Sequence, residues 1–331
     1  KKKLPKYRIV DSGAEGFEVS AEYFGAWTPA FMQALGYDSV AFKNEAVVGY
    51  SEGETHQEIH FVLDWSASLG IAATVSEQQR LKDLTEPFTE KWMSGAEDGC
   101  AFACHLDESF IKPEVNGVVV NTYDFARANS INLVEDIVTS AVDSVVEDIF
   151  STGTVTTKVG MYAISDRLAR AKSSTNQPFS ASDALNSLSM DRYGTRFDIG
   201  MPDLTNQLGM QGSGIDAQDP IKSIILVTDG LNNNYGGGVK TSAFSDDYCA
   251  GLKANGINVA VLHIPYPDLL GQPWYEYYAK PHLEEIPEAL QSCASEGLYF
   301  DVEHAHEIPS ALGVIASTVS ETEKQELAFR K

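Results

Sequence analysis

The chain has 331 residues, enough for one large α/β domain and a small appendage, and its 43% hydrophobic and 21% charged residues are the proportions of a globular chain. A formal net charge of −23 argues against nucleic acid and against anionic membrane surfaces as partners. No apolar run approaches the ~18 residues needed to cross a bilayer, and no charged stretch followed by an apolar one opens the chain.

Residues 1–15 carry Gly, Pro and charge and read as a loose lead-in. From Gly16 to Phe24, the residues Phe17, Val19, Ala21 and Tyr23 alternate with Glu18, Ser20 and Glu22, the pattern of a half-buried strand. Thr28 to Gly36 suggests a helical turn, and Val40 to Tyr50 is strand-like again, so the two strands can pair antiparallel. Residues 1–55 thus form a small N-terminal β appendage, and 56–331 the main domain.

The main domain opens with the apolar run Ile59-His60-Phe61-Val62-Leu63, a buried strand. Leu81, Leu84, Phe88 and Trp92 fit one helix face, which Pro87 should kink or break. Residues 94–122 read as an insertion. Ile131, Val134, Ile137, Val138, Ala141, Val142, Val145, Val146 and Ile149 then repeat at three and four, the clearest helix in the chain, which Gly153 should close. Lys158–Ser165 is a strand, Leu168–Lys172 a short edge strand, and Ser182–Leu188 a helix with a serine cap. Thr195 precedes a helix that Pro202 should interrupt. Pro220–Gly230 contains another buried strand, and Asn232–Gly238 reads as a surface loop. A helix over Ser245–Ala254, a strand over Gly256–Ile264, a helix over Pro287–Cys293, a short strand at Tyr299-Phe300 and a helix over Ile308–Val319 complete the chain. Strands alternating with helices imply right-handed crossovers and a mainly parallel sheet covered on both faces.

The first strand ends in Asp64-Trp65-Ser66-Ala67-Ser68, and the later one in Asp229-Gly230. Both would deliver oxygen ligands to the carboxyl edge of the sheet, where open α/β sheets bind ligands. Alone, Asp64 and its serines are equally suited to cap a helix. Between the two strands lies Tyr193-Gly194-Thr195-Arg196, a turn with a hydroxyl. Asp64, Ser66, Ser68, Thr195 and Asp229, in this order, resemble the metal-ion-dependent adhesion site of von Willebrand factor A domains, over about residues 56–320. The resemblance implies a Rossmann-like fold, a Mg²⁺ site (Mn²⁺ and Ca²⁺ being alternatives), and an open coordination position for a partner's carboxylate. An oxygen-only donor set suits such hard cations. Trp65 is bulkier than the residue common at that place in the family, and Leu69 replaces a common Met.

Cys100, Cys104, Cys249 and Cys293 form an even set. The Cys-x-x-x-Cys pair followed by His105 is one way to hold a metal, but no second close pair accompanies it. Two disulfides in an oxidising compartment are the simpler reading, and proximity pairs Cys100–Cys104 and Cys249–Cys293. His56, His60, His263, His304 and His306 read as structural or surface residues.

The segments Gly99-Cys100-Ala101-Phe102-Ala103-Cys104-His105, Cys249–Ile257 and Gln291–Ser295 resemble TadG-like (TadE/TadG) proteins of the tight-adherence, or Flp, pilus system. This resemblance implies pilus assembly or surface adhesion at the cell envelope, in the periplasm or on the surface. It also implies a membrane anchor ahead of Lys1-Lys2-Lys3 and a pilus or envelope protein as partner. The expectation is a binding module and not an enzyme. A Mg²⁺-dependent hydrolase or phosphotransferase using Asp64 is the alternative, weakened because Ser66 stands where such chemistry wants a second acid. A structural envelope protein with a metal-free site is a third.

Overall fold

A computed structural model of the chain describes residues 6–11, 17–27, 40–50, 55–88, 99–101, 112–151, 156–186, 188, 194–234, 240–269 and 275–330; of the side chains in 6–50, 234 and 321–330 nothing is described. The chain divides into two compact units, Lys1–Thr55 with Lys324–Lys331, and His56–Glu323.

The first unit holds three antiparallel strands, β1 (Lys6–Asp11), β2 (Phe17–Trp27) and β3 (Val40–Tyr50). Strands β2 and β3 pair along their whole length, from Phe17 opposite Tyr50 to Trp27 opposite Val40. The expected loose lead-in is in fact the third strand: Tyr7 and Ile9 alternate with Lys6 and Arg8, and this short period-2 pattern pairs Lys6–Asp11 with Glu22–Phe17. The helical turn expected at Thr28–Gly36 lies outside the described residues.

The second unit runs, in chain order, β4 (Gln57–Asp64), α1 (Val75–Thr85), a small hairpin β5 (Glu114–Val115) and β6 (Val118–Val119), α2 (Thr122–Ala128), α3 (Val134–Ser151), β7 (Thr157–Ile164), β8 (Leu168–Thr175), α4 (Ala181–Leu185), α5 (Phe197–Leu208), β9 (Ile221–Thr228), β10 (Leu231–Asn234), β11 (Lys240–Ala243), α6 (Asp247–Ala254), β12 (Asn258–His263), α7 (Ile286–Cys293), β13 (Tyr299–Asp301) and α8 (Ile308–Arg330). Its central sheet has the order β13-β12-β9-β4-β7-β8. Every pairing in it is parallel except that of β7 with the edge strand β8.

The central strands β4, β7 and β9 are buried at every position but one. This is why they read in sequence as continuous apolar runs: both faces of a parallel sheet are covered. Successive residues point to opposite faces. Ile59, Phe61 and Leu63 join Ile225 and Val227 against α3, α4 and α8. Val62 joins Ile224, Leu226 and Val261 against α5, α6 and α7. Each fully buried aliphatic or phenylalanine side chain contributes about 1.5–3 kcal/mol, so these two layers hold the sheet edge rigid. At the opposite, amino edge, the Gln57 side chain at the start of β4 donates to the Ser320 carbonyl of α8 at 3.3 Å.

Several local expectations are corrected. The long amphipathic pattern starts its helix at Val134, not Ile131; Ile131 sits in the preceding loop and packs on Tyr123 and Leu133 in a separate cluster. Helix α1 ends at Thr85 and a 3-10 turn holds Pro87, as the ring demands, while Trp92 lies outside the described residues. Pro202 does not interrupt α5, which runs through it from Phe197 to Leu208 and forfeits the bond to the carbonyl of Asp198. Helix α4 is capped by Ser180, whose hydroxyl accepts from Asp183 N at 3.2 Å, so its start lies before Ser182. Asn232–Asn234 are not surface loop but strand β10, paired with β11. Gly153 and most of the 94–122 insertion lie outside the described residues, although α2 already begins at Thr122.

Candidate metal centre

Parallel register builds the site. Leu63 pairs with Val227, which sets Asp64 beside Thr228 at the carboxyl ends of β4 and β9. Asp64 is fully buried, and both its oxygens are engaged. Thr195 Oγ1 donates to Oδ1 at 2.7 Å, and Thr228 Oγ1 donates to Oδ2 at 2.8 Å. Thr228 is a site residue that the sequence reading missed. The signal was present in Thr228-Asp229-Gly230, where a hydroxyl precedes the acid on the same strand face parity as Ile224 and Leu226.

Beyond Asp64 the chain makes one more ladder bond, Trp65 N to the Ile164 carbonyl at 2.7 Å, and then turns through a 3-10 segment, Ala67–Gly70. Ser66 occupies the capping position of this turn without making a side-chain cap bond. Its hydroxyl instead meets that of Ser68 at 2.6 Å. The capping role open to these residues in sequence is therefore not the one they adopt.

Thr195 is placed by its neighbours. Arg196 N donates to the Ser165 carbonyl just past β7, and Asn233 N donates to the Thr195 carbonyl, both at 2.7 Å. Asn232 Oδ1 accepts from Phe197 N at 3.0 Å, tying the start of α5 to β10. The buried β10 asparagines thus serve as scaffold for the Thr195 turn. Gly194 has φ +90°, and a Cβ there would lie 2.5 Å from the Asn233 side chain, so this approach requires glycine.

Asp229 follows β9 directly. Its Oδ1 accepts from Leu231 N at 2.9 Å, whereas Oδ2 is buried with no hydrogen-bond partner among the described residues. Gly230 supports this turn with φ +75°, where a Cβ would meet Ile286 of α7 at 2.4 Å. The structure thus brings Asp64, Ser66, Ser68, Thr195 and Asp229 to one sheet edge, on three separate segments.

Electrostatics give this arrangement its tension. Burial raises the Asp64 pKa well above the usual carboxylate range, Asp229 raises it further, and the hydroxyls of Thr195, Ser66 and Thr228 only partly offset this. Asp229 is raised less, again chiefly by burial, with Ser68 acting against it. Two buried carboxylates, one raised by the other, favour a proton or a cation that relieves their charge. The orphaned Asp229 Oδ2 and the adjacent hydroxyls are acceptors of the kind a divalent ion uses. Among the described residues no three His, Cys, Asp or Glu side chains converge, so serine and threonine oxygens must complete any donor set. The residues present therefore fit a hard cation and not a thiolate- or imidazole-bound one.

The histidines lie apart from this chemistry. His60 is buried in β4 against the Tyr162 ring, and His263 Nδ1 lies 3.1 Å from the Tyr299 hydroxyl. His304 and His306 stack on each other. Cys249 of α6 and Cys293 of α7 form a disulfide with Cα atoms 5.3 Å apart. Cys100 is also disulfide-bonded, and Cys104 lies outside the described residues.

No family model matches the sequence, and no curated protein matches it. Among solved structures, the chain is similar to proximal thread matrix protein 1 of the mussel byssus, including a form with a zinc-occupied MIDAS motif, at 13% identity over 80% of this chain and 48% of that one, TM-score 0.41. The chain thus spans about half the length of those mussel proteins. It is also similar to the vWF domain of the type V pili tip protein Mfa5 from Porphyromonas gingivalis, at 10% identity over 81% of this chain and 96% of that one, TM-score 0.44. A third is the conserved hypothetical protein BatB from Bacteroides thetaiotaomicron, at 16% identity over 80% and 99%, TM-score 0.40. The architecture described above is a mainly parallel six-stranded sheet between helical layers, a Rossmann-like α/β fold.

Proposed function

We propose that the chain is a metal-dependent protein-binding module of adhesion type, acting at the cell envelope in a tight-adherence-like pilus. Asp64, Ser66, Ser68, Thr195 and Asp229 would hold Mg²⁺, or Mn²⁺ or Ca²⁺ in its place. The bound ion would supply electrostatic attraction for one acidic side chain of a pilus component, an envelope protein or a surface ligand. The single observation that carries this reading is the buried pair Asp64 and Asp229, whose repulsion raises Asp64, with Asp229 Oδ2 left without a hydrogen-bond partner among the described residues.

The chain's own residues have distinct tasks in this reading. Thr195 and Thr228 fix the Asp64 carboxylate in one orientation. Ser66 and Ser68 would contribute neutral oxygens, which would leave the ion's positive charge less compensated than carboxylates would. Asp229 presents the free oxygen. The same geometry favours binding over catalysis, since an Asp64 clamped through both oxygens in a fully buried position is poorly placed to attack a substrate. The Cys249–Cys293 bridge supports an oxidising, extracytoplasmic location.

The test is thermal. An ion that binds only the native state at ~100-fold excess over Kd adds about 2.7 kcal/mol. Melting with millimolar Mg²⁺, Mn²⁺ or Ca²⁺ against chelator should show a rise in the native protein and none in Asp229→Ala. An unchanged native curve in all three ions would sink the proposal. Capture of the partner should vanish with chelator and with Ser66→Ala, while circular dichroism shows the fold intact.

A further inference from the structure

The central sheet ends in two unlike edges. Strand β13 closes one with three residues, Tyr299–Asp301, the last of them an acid. Strand β8 closes the other with eight, Leu168–Thr175, all of them half-buried or exposed. At ~3.3 Å per residue this makes an edge of roughly 26 Å. Helices α4 and α5 pack on β8, and its apolar residues join both core layers, Leu168 on one side and Ala171 on the other. Its free surface is therefore the edge and not a face. Among the described residues the backbone of β8 bonds only β7. An edge strand of this kind offers a row of N–H and C=O groups with no ladder to join.

The edge is also positive, in a chain with 24 Lys and Arg against 47 Asp and Glu. Arg167, Arg170 and Lys172 fall within six residues. Arg167 is 80% exposed and Asp166, 3.6 Å from its Nε, is 44% exposed, so solvent screens that pair. Arg170 donates to the neutral Gln207 Oε1 at 2.8 Å, and its Cζ lies 5.5 Å from the centre of the Tyr162 ring. Lys172 Nζ lies 5.5 Å from the centre of the Phe179 ring. These contacts hold both cations beside the strand without neutralising them. The charges discriminate among occupants. A second copy paired through the same strand would set two cationic edges together, and like charges across a strand pair are destabilising. A basic segment meets the same repulsion. An extended acidic segment gains main-chain bonds and charge-assisted side-chain bonds at once.

We propose that β8 is a docking edge for an extended acidic segment of a partner protein, which adds to the central sheet as a further strand and pairs its carboxylates with Arg167, Arg170 and Lys172. Strand β8 is two places from β4 in the sheet, so this docking does not need the ion.

The test runs on the full chain in chelator, so that its failure and that of the ion site are separable. The probes are two peptides of eight residues, the length of β8, one alternating threonine with glutamate and the other threonine with lysine. Each is titrated to millimolar concentration at low salt. The glutamate peptide should bind saturably and slow backbone hydrogen exchange within Leu168–Thr175 tenfold or more. Binding should weaken tenfold or more when Arg170→Glu and Lys172→Glu are combined. It should also weaken in Ser173→Glu, which adds a negative charge at an exposed position and leaves both cations in place. Circular dichroism checks that each variant is folded. No saturable binding of the glutamate peptide overturns the proposal. So does equal binding of the lysine peptide, protection confined to other strands, or binding that survives in the folded variants. Protection of β8 that rises with chain concentration and no peptide would make the edge a self-association surface, and overturns it as well.

Discussion

Replacing Thr228 by valine should expose how Asp64 is held. The side chain is fully buried, and valine preserves its shape and β-branching. Two bonds disappear: the one donated to Asp64 Oδ2, and the one accepted from Gly230 N, both 2.8 Å. Without the ion, burial keeps Asp64 protonated near neutral pH, so its bond to Thr228 contributes about 0.5–1.5 kcal/mol, and a buried N–H left without an acceptor costs about 1–3 kcal/mol. The β-preference of valine returns less than ~1 kcal/mol. The net expectation is a loss of about 2 kcal/mol. Thr228→Ser keeps both bonds and removes one methyl, a loss of about 1 kcal/mol by comparison with Ile→Val. Urea unfolding in chelator separates the two, provided the midpoint moves at constant slope. If the valine and serine variants unfold at the same midpoint, the hydroxyl is not holding Asp64, and the account of the site's rigidity fails.

Two further outcomes follow from other parts of the fold. Burial lowers the His60 pKa from 6.5 to about 4, and this outweighs Glu58, whose carboxylate lies 3.6 Å from Nε2 and pulls it upward. The unfolded chain therefore binds the proton first as pH falls: stability from this residue is intact above pH ~6.5 and declines toward pH ~4 by about 3 kcal/mol. The difference in unfolding free energy between native and His60→Gln, measured across that range, should show this slope, and a flat difference would contradict it. Removing the Cys249–Cys293 bridge with a double serine substitution releases a loop spanning 44 positions, and chain entropy sets the loss near 4 kcal/mol. Unfolding by guanidinium checks the value, and a change below 1 kcal/mol would mean the reduced chain is already constrained there.

The sheet was legible because burial on both faces writes itself as unbroken apolar runs, and Asp64 and Asp229 were legible because each ends such a run. The helical period of α3 was equally plain, but its start was not: Ile131 is apolar because it fills a loop cluster, and the periodic pattern cannot tell that from a helix face. The triple asparagine misled because such runs usually mark loops, whereas here Asn232 and Asn233 are buried by the bonds they give the Thr195 turn. Thr228 escaped notice because a threonine in a strand looks like ordinary β-composition until the register sets it beside Asp64. Trp65 could be seen as an oversized residue inside the motif.

The bond between Gln57 and Ser320 has a mechanical meaning. It sets the entry of β4 and the late part of α8 together at the amino edge of the sheet, while the candidate ion site lies at the far end of the same strand. A pull between a tether at that edge and a ligand at the other travels along β4. There it meets two parallel ladders at once, with β7 over all eight residues of the strand and with β9 over seven. The load is borne in shear by all of these bonds together, so rupture requires them to fail collectively instead of opening one by one.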